Sequence, residues 1–295
     1  QGNNSWDDDI AQIYENYNVY LIYKDLQRAD FNRSWTGTSY GSGYEGQGCV
    51  NDEMANYYVE FMKKHIFAYL NPPITSKVLP MYWYLGYNVY SKSVLEIGGV
   101  ILASWIVPIH ENYDGLDYWC TCMFGEDNPS DPYLIPTDRA LLDRRRKMIL
   151  APVLEKAVKA GNIIIPEEFE VGFDHVTNLI AGLGREDDPN YYLTRGYPGS
   201  VNTYVFNSIS EPANNSYPPT NEETFIGYMH LSMYYNQARL AEVYPADKYP
   251  FLTEKFAFVQ KYLKDKYQID LEAIANGPED WNLPLPPIPE TPDEE

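Results

Sequence analysis

The spacing of apolar and polar positions divides the chain into a strand-bearing first half and a helical second half. Residues 7–17 open with three aspartates and then place Ile10, Ile13 and Tyr14 at helical spacing, which predicts a helix. Asn18 to Tyr23 (NVYLIY), Val78 to Val89 and Gly98 to Val107 (GGVILASWIV) are rich in β-branched and aromatic residues and predict strands. The second should turn near Gly86-Tyr87-Asn88. The third is almost continuously apolar, so both of its faces are expected to be covered. Residues 34–48 are rich in Gly, Ser, Thr and Tyr and predict a loop.

Helical patterns are predicted over 51–69, 138–160, 167–183, 221–243 and 250–265. In the last, Leu252, Phe256, Val259 and Leu263 fall in line. Pro152 should break or bend the helix over 138–160 unless a new helix begins there. Gly161 is a stop signal. Residues 185–220 read as one long loop rich in Asn, Pro, Tyr and Gly. Strands followed by helices make an α+β pattern, not a doubly wound one. We expect a single domain over 1–282 and a Pro-rich, acidic, disordered tail over 283–295.

Composition narrows the function classes. The net charge is −20, from 42 acidic and 22 basic residues. Such a field repels nucleic acid, whose binding rests on Lys and Arg neutralising phosphates. The one basic cluster, Arg144-Arg145-Arg146-Lys147, reads as a solvated helix face rather than an anion site. No window approaches the ~18 apolar residues of a membrane span. The 28 tyrosines suit exposed aromatic surfaces that bind sugars or peptides, although amphipathic packing is the plainer reading of any one ring. Cys49, Cys120 and Cys122 leave a disulfide to Cys49 and free thiols equally open. The polar beginning of the chain fits a mature exported protein, with a cytosolic origin also open.

Candidate chemistry is sparse. The segment His110-Glu111-Asn112-Tyr113-Asp114 mimics a zinc-binding HExxH with Asp as last ligand. It follows a strand and Pro108 and has the composition of a turn, so His110, Glu111 and Asp114, with Asp117, are at most a loop metal site. His175 and His230 each fall on a predicted helix, where a lone His is usually structural. Asp127, Asn128 and Asp131, and then Glu186, Asp187, Asp188 and Asn190, form oxygen-rich loops that could hold calcium, with solvated turns the simpler reading.

Several segments together carry a resemblance. IYENYNVYLIYKDL (Ile13 to Leu26), FMKK (Phe61 to Lys64), GGVILASWIV and KFAFVQKYLKDKYQIDLEAI (Lys255 to Ile274) resemble a family of zinc-binding metallopeptidases. These are surface lipoproteins associated with nutrient-import loci of gut-type bacteria. The resemblance spans roughly residues 7–275 and implies a zincin-like α+β fold. It also implies an exported protein at the periplasmic side or outer-membrane surface, and leaves a lipid anchor open. The family carries HExxH on a helix before a Pro-Glu-Phe-like turn. Alignment on Pro166 to Phe169 (PEEF) puts that motif in MILAPVLEKAVKAGNIIIPEEF (Met148 to Phe169), with Val153 and Ala157 at the histidines and Leu154 at the catalytic Glu. The third ligand falls at Gly227. The zinc expected for the family therefore lacks its ligands, and the resemblance implies a degenerate member without catalysis; the alternatives are an active hydrolase with a relocated metal site, using His110 and Glu111 with His175 or His230, and a purely structural component of an outer-membrane uptake complex. Its ligand would be a peptide or glycan, or its partners the proteins of an uptake complex. Trp105, Val153 and Ala157 are the cleft candidates.

Overall fold

The structure is a computed structural model and describes residues 4–33, 42–113, 115–125 and 139–284. It is α+β, with a mixed six-stranded sheet in the first half and helices dominating the second. The described residues group into two compact units. The first takes in residues 1–64, 79–142 and 281–295, and the second 65–78 and 143–280.

In the first unit, α1 (Asp7–Tyr17) carries its aspartates in the first turn, against the positive end of the helix dipole. Asn18 ends it in the left-handed conformation. Strand β1 (Tyr20–Ile22), the short helix α2 (Arg28–Phe31), β2 (Gly43–Gly48) and α3 (Asp52–Phe61) follow. The predicted helix over 51–69 thus ends early as α-helix and runs on through a π-helical turn, Met62–Ile66, and a 3-10 turn, Phe67–Tyr69. Asn51 caps α3 by accepting from the Met54 N–H at 2.9 Å. Strand β2 lies inside the stretch expected to be loop. Residues 34–41 of that stretch lie outside the described residues.

Strand β3 (Tyr82–Ile97) organises the sheet. Its first half pairs in parallel with β1 and with β6 (Tyr118–Phe124), at Tyr20↔Tyr82 and Tyr82↔Tyr118. Its second half pairs antiparallel with β2 and with β4 (Val100–Pro108). The short β5 (Glu111–Asn112) flanks β6. The turn expected near Gly86-Tyr87-Asn88 is instead a register shift within a continuous strand. A Cβ on Gly86 would lie 2.6 Å from Val89 Cγ2, so the shift falls where the strand has no room for a side chain. Strand β6, which the sequence reading did not pick out, is buried at every residue and forms the core of the sheet. The Tyr58 hydroxyl fastens α3 to it. It donates to the Gly86 carbonyl at 2.5 Å and accepts from the Met123 N–H at 2.7 Å.

The expectation that both faces of GGVILASWIV are covered fails. Gly98 and Gly99, at φ of 62° and 82°, make the tight turn of a hairpin between β3 and β4. The hairpin carries Leu95, Ile97, Val100, Ile101, Leu102, Trp105, Ile106 and Val107, all 46–64% exposed. A long apolar run signals that the strand wants cover, and among the described residues nothing provides it.

The second unit holds α4 (Pro72–Thr75), α5 (Arg139–Lys159, from Asp143 on), α6 (Glu167–Glu170), β7 (Ser200–Val201), β8 (Ile209–Ser210), α7 (Asn221–Tyr234), α8 (Gln237–Val243), α9 (Pro250–Tyr267) and α10 (Leu271–Asn276). Helix α5 continues through Pro152. An interior proline costs a helix about 3 kcal/mol. Here Ile149, Leu150, Ala151, Val153, Leu154 and Ala157, all at 0% exposure, hold the segment in place by burial. The helix predicted over 167–183 is a single turn, α6. Gly172 leaves at φ 93°, and Asp174 then accepts from the Val176 and Thr177 N–H groups, which commits the chain to a turn. The helix predicted over 221–243 is split at Tyr235 and Asn236, where Asn236 caps α8. Leu252, Phe256, Val259 and Leu263 are all buried as read.

The basic cluster is not a solvated face. Arg145, Arg146 and Lys147 are 1%, 0% and 6% exposed. Asp143 accepts from both Arg146 and Lys147. The Arg146 guanidinium also donates to the Ile274 carbonyl at 2.8 and 3.0 Å and lies 3.3 Å from His65 Nδ1. Arg146 thus ties α5 to the end of α10, and Lys147 pairs within α5. Lys255 is buried in the same unit. Its ammonium donates to the Phe169 carbonyl at 2.7 Å and lies 5.2–5.9 Å from the rings of Phe169, Phe173, Phe251 and Phe258.

Candidate functional site

The second unit contains a pocket of about 660 Å³. Two i,i+4 side chains of α5, Glu155 and Lys159, point into it, and α7 contributes Glu222, Glu223, Gly227 and His230. The loop between them supplies Tyr197, Pro198, Pro212, Tyr217, Pro218 and Pro219 as walls. These positions follow from local chemistry. Thr220 and Glu223 form a capping box that starts α7, with the Thr220 N–H donating to Glu223 at 2.7 Å. Tyr228 anchors the loop from the buried side of α7, its hydroxyl donating to the Gly196 carbonyl at 2.6 Å. Tyr197 donates to the Asp174 carbonyl at 2.8 Å.

The polar centre of the pocket is Lys159–Glu155–His230. Lys159 Nζ donates to Glu155 Oε1 at 2.6 Å, and Glu155 Oε2 lies 3.6 Å from His230 Nε2. Donation to the Glu155 carboxylate raises the Lys159 pKa, and the fields of Glu222 and Glu223 add to it. His230 is 8% exposed, and burial drives its pKa down to about 4 against the upward pull of Glu155. At neutral pH the imidazole is therefore uncharged and the Glu155 contact is not an ion pair. Among the described residues His230 Nε2 has no hydrogen-bond partner, although it is buried at the pocket wall. Such an atom is satisfied by an ordered water or by a bound ligand.

Val153, Leu154 and Ala157, at the family's HExxH positions, are wholly buried and do not line this pocket, whereas Gly227 does. Hydrocarbon side chains and a glycine present no donor atom, so zinc does not fit these positions and no chemical step is derived through it. Trp105 lies on the exposed hairpin. His110 is buried beside β5. The Glu111 carboxylate accepts from the Thr121 hydroxyl at 2.6 Å, and that hydroxyl accepts from the Trp83 indole at 2.9 Å. Asp117 pairs with Arg33 at 2.5 Å. Asp114, Asp127, Asn128 and Asp131 lie outside the described residues. Among the described residues no three His, Cys, Asp or Glu side chains converge as a metal site, the loop of Glu186, Asp187 and Asp188 included. Cys49, Cys120 and Cys122 are free thiols. His175 sits in the turn after α6, its Nδ1 2.8 Å from the Pro219 carbonyl. No described helix is long and apolar enough to cross a membrane.

The sequence reading weighed His230 as a lone structural histidine and did not connect it to Glu155 or Lys159. The i,i+4 spacing of the latter two was legible. The connection to α7 is tertiary.

No family model matches the chain, and no curated protein matches it. Among solved structures, it is similar to a provisionally assigned zinc-binding metallo-peptidase from Bacteroides caccae, at 13% identity and a TM-score of 0.41, over 94% of this chain and 92% of the other. A likeness at that level does not carry the neighbour's zinc over to this chain.

Proposed function

We propose that the chain is a non-catalytic binding protein, a degenerate relative of zinc metallopeptidases acting as an accessory of nutrient uptake at the cell surface. Its ligand occupies the pocket bounded by α5, α7 and the tyrosine- and proline-bearing loop. The observation that carries this reading is the unpartnered His230 Nε2 beside the Lys159–Glu155 pair, in a pocket of about 660 Å³, within the range of small-ligand sites. A peptide fits better than a neutral glycan. The pocket presents three carboxylates, Glu155, Glu222 and Glu223, and one ammonium, Lys159. A peptide offers charges of both signs to such a set, and its apolar side chains can pack on Tyr217, which is 82% exposed, and on the prolines.

Isothermal titration of the full chain against a panel of basic, neutral and acidic peptides and of neutral oligosaccharides tests this. Saturable binding of peptide, weakened by the double substitution E155Q/K159M, is the expected result. Binding indifferent to that substitution refutes the assignment of the pocket, and peptide hydrolysis by the purified chain refutes the non-catalytic reading.

A further inference from the structure

We infer that the β3–β4 hairpin is a dimerisation arm on which a second copy of this chain adds its own β4, edge to edge and antiparallel. This inference is independent of the pocket and its ligand.

Three observations carry it. First, β4 has β3 as its one strand neighbour among the described residues, so its other edge presents a row of backbone N–H and C=O groups to solvent. Exposed edges of this length are templates for another strand. The register shift of the hairpin lies between Leu95 and Glu96, near the tip, which leaves Ala103 to Pro108 regular and able to pair.

Second, the side chains around that edge are apolar on both faces. Trp105 and Val107 stand opposite Ser93 and Ser91 on one face, and Ile106 stands opposite Lys92 on the other. Side chains of this size at half exposure each leave on the order of 100 Å² open. The exposed large side chains of the hairpin together therefore leave roughly 800 Å² open, and strand pairing covers the part of it that flanks the β4 edge. The open total is above the few hundred Å² of apolar patch that monomers usually leave uncovered.

Third, charge selects the place. The chain carries −20, so two copies repel almost everywhere. Between Ser91 and Pro108 the only charges are Lys92 and Glu96, and they cancel. The hairpin is where a second copy can approach without that cost. A lipid bilayer is a poorer occupant, because the free edge would leave backbone groups unpaired in hydrocarbon. A continuous β3-β4-β4-β3 sheet satisfies the edge and sets the apolar side chains of the two β4 strands beside one another as cross-strand pairs. The contact is isologous, so it closes at two copies.

Sedimentation-velocity ultracentrifugation of the full chain across the micromolar range tests the inference, with I106E and W105E as variants and circular dichroism to check their fold. Both side chains are half exposed, so both variants should remain folded. The expected result is a wild-type dimer whose dissociation constant rises by about tenfold or more in each variant and falls with added salt. A wild-type chain that stays monomeric throughout overturns the inference. So does a dimer that both variants preserve, and so does a monomer that instead floats with phosphatidylcholine vesicles.

Discussion

His230 should make the stability of the second unit depend on pH in a way that one substitution can isolate. An imidazole free in the unfolded chain titrates at 6.5, whereas burial in the folded state holds His230 at about 4. The groups that face it are Glu155, whose oxygen is 3.6 Å away and favours the charged form, and Lys159, which opposes it. The folded pKa lies below the unfolded one, so the folded state binds fewer protons at acid pH. The contribution is fully present above 6.5 and is lost as pH falls from 6.5 towards 4. The slope in that window approaches 1.4 kcal/mol per pH unit. Integrated, the loss is about 2 kcal/mol between pH 8 and pH 5, rising to about 3 kcal/mol below pH 4. Carboxylates add their own acid limb, so the comparison is between wild type and H230Q, which cannot titrate. Urea unfolding followed by circular dichroism at pH 8, 7, 6 and 5 gives the two curves. The gap between them should change by about 2 kcal/mol over this range, whatever offset the substitution has at pH 8. Parallel curves would mean that His230 titrates as an ordinary solvated imidazole. That would refute the burial argument and the claim that its Nε2 waits neutral in the pocket.

Other substitutions test separate parts of the fold. R146M removes a wholly buried guanidinium from Asp143, His65 and the Ile274 carbonyl, and should cost about 3–5 kcal/mol in urea unfolding, far more than a solvated arginine would. T220A deletes the side-chain half of the capping box of α7 and should cost about 1 kcal/mol, read as a lower Tm. Y58F leaves the Met123 N–H and the Gly86 carbonyl without their shared partner in the sheet core and should cost about 1–3 kcal/mol by chemical denaturation.

What the sequence revealed follows from where the deciding interactions lie. Helices α1 and α9 were legible because their signals are local: three aspartates before an apolar stripe in one, Leu252, Phe256, Val259 and Leu263 in the other. The strand GGVILASWIV was placed correctly, but its exposure was not, because an apolar pattern states a need for cover and cannot say whether the same chain meets it. Arg145, Arg146 and Lys147 look solvated in sequence because the Ile274 carbonyl that receives Arg146 lies 128 residues further along the chain. Pro152 looked like a break because its cost is local, while the burial that offsets it is tertiary. The pocket was least legible. Its walls come from a loop without periodicity, and the site exists only once α7 brings His230 beside Glu155. The family resemblance pointed to Val153, Leu154 and Ala157 on α5, whereas Glu155 and Lys159 are the residues of that helix that face the cavity.

The central claim is that the pocket binds ligand without a metal centre. Zinc content of the purified chain, measured by plasma mass spectrometry after passage over a chelating resin, tests it most directly. The account predicts well under one zinc per chain and peptide binding unchanged by the treatment. One retained zinc per chain, with binding or hydrolysis that disappears on its removal, would contradict it.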